Sequence, residues 1–145
     1  MTSLSKGRRG RRSLLLGVLA AVASLSVAAP AEAGTYLNRA VMLLHGATRE
    51  AAYLRARFSD KELARVTQRL AQARLDAANA MTVPKEVVLA HPHLLLVLEN
   101  YTQAAEAATK GEVERFGNFH QRALDEERAF KAVLKQHGWV LPEAP

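Results

Sequence analysis

From Leu37 to Leu134 the apolar residues recur at intervals of three, four or seven, and only a few points interrupt the run. That spacing matches a helix of 3.6 residues per turn. A strand would instead alternate every second residue. The pattern predicts an all-α chain, with its helices set by the interruptions.

The first helix is expected from about Tyr36 to Phe58. Leu37, Val41, Leu44, Ala51, Leu54 and Phe58 share one stripe on it. Gly46 is a soft point, costing about 1 kcal/mol relative to Ala. Ser59-Asp60-Lys61-Glu62 fits a capping box, in which a Ser hydroxyl accepts from the amide three residues on and a Glu side chain reaches back. The second helix then carries Leu63, Val66, Leu70, Ala73, Ala77 and Met81 on its inward face. Thr82-Val83-Pro84 ends it, because proline lacks the amide donor a helix interior needs. Pro84 opens a short turn, and Pro92 begins the third helix, which runs to Lys110. Leu94, Leu98, Tyr101, Ala105 and Ala108 form its stripe, with Gly111 as the left-handed stop. The fourth helix is expected from Glu112 to Gln136, with Val113, Phe116, Phe119, Ala123, Phe130, Val133 and Leu134 inward. Gly138 ends it, and Trp139-Val140-Leu141 folds back as a plug. The aromatic residues, Tyr53 included, are spaced as core. Four helices with short connections predict an antiparallel up-down-up-down four-helix bundle over residues 34–145.

Composition matters chiefly for the first 33 residues. The chain has 20 Lys and Arg against 14 Asp and Glu, a formal net charge of +6. Lys6, Arg8, Arg9, Arg11 and Arg12 precede Leu14, and only Glu32 offsets them before Gly34. The remainder carries 15 basic and 13 acidic residues, with no long basic run. A nucleic-acid footprint needs clustered Lys and Arg, so none is expected. A basic start, an apolar stretch from Leu14 to Ala29 and a small-x-small ending have the layout of a secretory signal peptide cleaved after Ala33. The apolar stretch is shorter than the roughly 20 residues of a spanning helix, so no stable membrane span is expected after cleavage. Arg11-Arg12-Ser13-Leu14-Leu15 also resembles a bacterial twin-arginine export signal. That pattern commonly has Phe where this chain has Leu14. The resemblance implies export in a folded state. The protein is expected to be periplasmic or secreted.

The chain has no cysteine. Disulfides, iron–sulfur clusters and covalent haem are thereby excluded. Carboxylate-bridged di-metal bundles use Glu-x-x-His on two helices. None of His45, His91, His93, His120 and His137 has Glu three residues before it. A haem held by Met42 or His45 with His120 would need ligands differing in height by roughly 10 Å, from the helical rise. Up-down topology brings the start of the third helix near the end of the fourth. His91, His93 and His137 are therefore the candidate ligands for a transition metal such as zinc or copper. Each also has an ordinary reason to exist. His91 precedes a helix-starting proline, and His137 in a last turn suits the helix dipole. After Ala33 the only serine is Ser59, better explained as a cap than as a nucleophile. Asp125-Glu126-Glu127 has Arg122, Arg128 and Lys131 within three or four residues, the pattern of a solvated face.

No nucleophile, base and oxyanion donor can be assigned together, so an enzyme is not expected. The function expected is binding of a protein or peptide partner, with metal binding as the alternative and a homodimer as a further expectation. Leu75, Val87, Val88, Leu96 and Val97 lie off the stripes and form the expected second apolar edge.

Overall fold

The computed structural model of the protein describes residues 28–144, and the segment read as the body of a signal peptide lies almost wholly outside them. The described residues form four α-helices and no strand: α1 (Ala28–Ala56), α2 (Lys61–Asn79), α3 (His91–Lys110) and α4 (Val113–Gln136). None is long and apolar enough to cross a membrane. α1 starts earlier than expected. It runs unbroken through Ala33, which is fully buried.

The breaks behave as their residue types require. Asp60, not Ser59, caps α2, its carboxylate accepting from the Leu63 amide at 2.9 Å. Glu62 pairs instead with Arg65, so the expected capping box does not form. Gly111 has a φ of 76° and Gly138 a φ of 79°. At both, the amide after the glycine reaches a carbonyl five residues back: Glu112 to Ala107 and Trp139 to Leu134. This closes the helix through a left-handed residue, a position where side chains clash and glycine does not.

α3 is the centre. It packs against all three other helices, α1 and α2 pack together, and α4 makes its main contacts with α3 alone. Leu94, Leu98, Tyr101, Ala105 and Ala108 are buried as expected, and Val97, Thr102, Ala104 and Ala107 join them because neighbours surround the helix. Each large side chain fully withdrawn from water contributes roughly 1.5–3 kcal/mol. Val87 and Val97 are core residues rather than parts of a second apolar edge, and Leu75 packs partly against the core. Only Val88 and Leu96 of that edge stay exposed. Val113 and Tyr53, expected inside, are outside. Trp139 and Leu141 do fold back against the core, while Val140 points to solvent.

α2 departs furthest from its pattern. Its buried residues are Ala64, Thr67, Ala71 and Ala78. Val66 and Leu70, expected inside, are 42% and 41% exposed. Two polar anchors fix this rotation. On the α1 side, Arg74 forms a two-pronged ion pair with Glu50, both contacts at 2.7 Å. The Arg74 guanidinium lies over Gly46, where a Cβ would stand 2.6 Å from its Nε. On the α3 side, the Lys61 ammonium donates to the Ala108 carbonyl at 3.0 Å. From the helical twist, Lys61 and Arg74 lie about 140° apart around α2. The alanines fall between them and allow close approach to Ala47, Ala51, Ala104 and Ala105.

Candidate functional site

The first residues to place are the three histidines. His91 and His93 both lie inside α3, two positions apart. Positions i and i+2 do not share a helix face. His91 accordingly turns to α1, where its Nδ1 lies 3.1 Å from the Tyr36 hydroxyl and the rings meet edge to face. His93 turns to α4, its Nδ1 2.8 Å from a Glu126 carboxylate oxygen. His137 caps the end of α4 and is exposed. The structure does not bring the three imidazoles into one cluster. Among the described residues, no group of three or more His, Asp or Glu is arranged to hold a metal ion. Glu126 was expected on a solvated face. Its neighbours Asp125 and Glu127 do pair locally, with Arg128 and Lys131, but Glu126 reaches across to α3.

Burial pushes the His91 imidazole below its ordinary pKa, and burial together with the Arg55 charge does the same for His120. The folded protein thus favours the neutral rings. Below about pH 6.5 the unfolded chain binds more protons than the folded one, so stability rises with pH up to that point and is lost as pH falls. The thermal midpoint is expected to be flat from about pH 6.5 to about pH 9 and to decline toward about pH 5. Replacing His91 and His120 together by Gln should flatten that decline. A wild-type midpoint that does not move over this range would mean that neither ring is desolvated.

Two surface features remain. The first is the outer face of α1 and α2. Val66, Leu70, Ala73 and Ala77 are exposed along α2, and Met42 and Tyr53 along α1. Helical spacing puts Arg39 and Arg49 on the same side of α1, Arg57 follows in the turn just after it, and none of the three has an ion-pair partner among the described residues.

The second is an open groove between α1 and α4, which both pack on α3 and make no extensive contact with each other. Its floor holds a hydroxyl pair, Thr48 and Tyr101 at 3.5 Å. His120 lies edge to face with Tyr101 and stacks on Phe116. At one end Phe58, Val113, Phe116 and Gly117 line a pocket of about 300 Å³. In the middle Thr48, Ala52, Ala56 and Leu124 line one of about 490 Å³. Arg55 and His120 belong to both. Gly117 is exposed in the interior of α4, where a Cβ would meet nothing within 4 Å. Glycine there costs the helix roughly 0.5–1 kcal/mol relative to Ala.

No protein-family model, no curated protein and no solved structure matches the chain.

Proposed function

We propose that the protein is an exported, non-enzymatic antiparallel four-helix bundle whose outer α1–α2 face binds another protein. The partner segment would be an amphipathic helix flanked by acidic residues. One observation carries this reading: α2 buries alanines while Val66 and Leu70 stay in water. Uncovered apolar surface forgoes roughly 25 cal/mol per Å², which a partner would recover. The arginines alongside supply the charge complement for acidic flanks and exclude basic ones. The up-down-up-down path is supported by residue pairs that join helix starts to helix ends, such as Lys61 with Ala108, and starts to starts, such as Tyr36 with His91. Export rests on the basic, apolar and small-x-small order of the first 33 residues.

The test is photo-cross-linking in the producing cell, with a benzophenone amino acid at position 70, 53 or 128. Positions 70 and 53 are expected to give one discrete product and position 128 none. Arg49→Glu with Arg57→Glu should remove it. A product of twice the chain's own mass would make the partner a second copy. Equal products from all three positions, or none, would sink the reading.

A further inference from the structure

The α1–α4 groove is a separate surface from the face proposed to bind protein. Three of its features point to a ligand. Arg55 is a cation at the junction of two pockets, with no acidic partner among the described residues. His120 and Gln121 stand beside it as polar groups at the lining of the same pocket. Beyond them the walls become apolar, through Phe58, Val113 and Phe116. Gly117 adds an independent sign. Its backbone is not left-handed, so conformation does not call for glycine. Nor does packing, since a Cβ there would have no atom within 4 Å. The missing side chain weakens α4 and leaves the pocket wall open.

The geometry points to a small-molecule site in this groove for a medium-chain alkyl carboxylate, its head at Arg55 and its chain against Phe58, Val113 and Phe116. A guanidinium favours a carboxylate because its planar donors can engage both oxygens. A pocket of about 300 Å³ lies at the small end of ligand sites, which suits a single chain. A cationic head is repelled by Arg55, and a neutral head gains only a hydrogen bond.

The experiment is isothermal titration of the full chain with decanoate below its micellar concentration. Decan-1-ol and decyltrimethylammonium supply the same chain with neutral and positive heads. Decanoate is expected to bind saturably at one site, about tenfold tighter than decan-1-ol, with no binding of the cation, as a single charge-assisted contact allows. Arg55→Gln should remove that tenfold advantage and leave decan-1-ol unchanged. Gly117→Leu should abolish binding of both while the thermal midpoint holds or rises, which separates a blocked site from a misfolded one. No saturable binding, equal affinity for all three heads, or an unaltered Gly117→Leu titration would overturn the proposal. Cross-linking at position 70 is indifferent to these variants, so the two surfaces fail or stand separately.

Discussion

Phe130→Ala is expected to lower the unfolding free energy by about 3–5 kcal/mol, the usual loss when a large aromatic leaves a full core. Phe130 is fully buried in α4, in one cluster with Leu44, Leu94, Leu98 and Leu134. α4 depends on α3 for most of its packing. Leu44, Leu94 and Leu98 are themselves held in the same cluster, so the cavity should close only in part and the loss should fall in the upper part of that range. Small domains have only about 5–15 kcal/mol in total. Urea denaturation followed by circular dichroism should therefore show a much earlier midpoint. Val140→Ala, at a position 78% exposed, is the control and should stay within about 0.5 kcal/mol. A Phe130→Ala loss below about 1 kcal/mol would mean that α4 is not seated as described.

The second large effect tests how α2 is turned. Ala71→Leu should destabilise the fold by about 1–3 kcal/mol, because the void of about 10 Å³ that Ala71 shares with Ala47, Ala51 and Ala104 is too small for three added carbons. Leu70→Ala, one residue away, should change stability by less than about 0.5 kcal/mol. If α2 instead buried the stripe of larger residues, the order would reverse: Leu70→Ala would cost about 2–5 kcal/mol, and Ala71→Leu would be tolerated. The pair of denaturation curves separates the two rotations by sign as well as size.

That contrast marks where the pattern of residues could be read and where it could not. α1 and α3 were legible because the stripe read on each, Leu37, Leu44 and Leu54 on α1 and Leu94, Leu98 and Tyr101 on α3, is among what they bury, although Met42 and Tyr53 stay outside and Val97 joins the core. Gly111 and Gly138 were legible because a left-handed stop has a residue type of its own. In α2 the larger side chains and the buried face disagree. The decisive terms are tertiary: Arg74 paired with Glu50 over Gly46, Lys61 on the Ala108 carbonyl, and close approach that only alanines permit. None of them leaves a periodic trace. The histidines fail for a related reason. His91-Pro92-His93 reads as a hook if His91 precedes the helix, but once it lies within α3 the two rings part. The groove was invisible because it comes from two helices leaning on a third rather than on each other. Gly117 was the one local clue, a glycine inside a strongly helical run.

The arginines of the outer α1–α2 face have a kinetic meaning besides a chemical one. From the start of α1 at Ala28 to Ala80 the chain holds eight basic and five acidic residues, and from Met81 onward seven basic and nine acidic. The molecule is thus an electrical dipole, with its positive pole on the helices that carry the uncovered Val66 and Leu70. A negatively charged body approaching through dilute salt would turn that pole toward itself before any contact forms. At physiological ionic strength the guidance fades beyond about 8 Å, so it acts over the last few water layers. Within that distance, electrostatic torque delivers the apolar face first, and fewer collisions are spent on the wrong side.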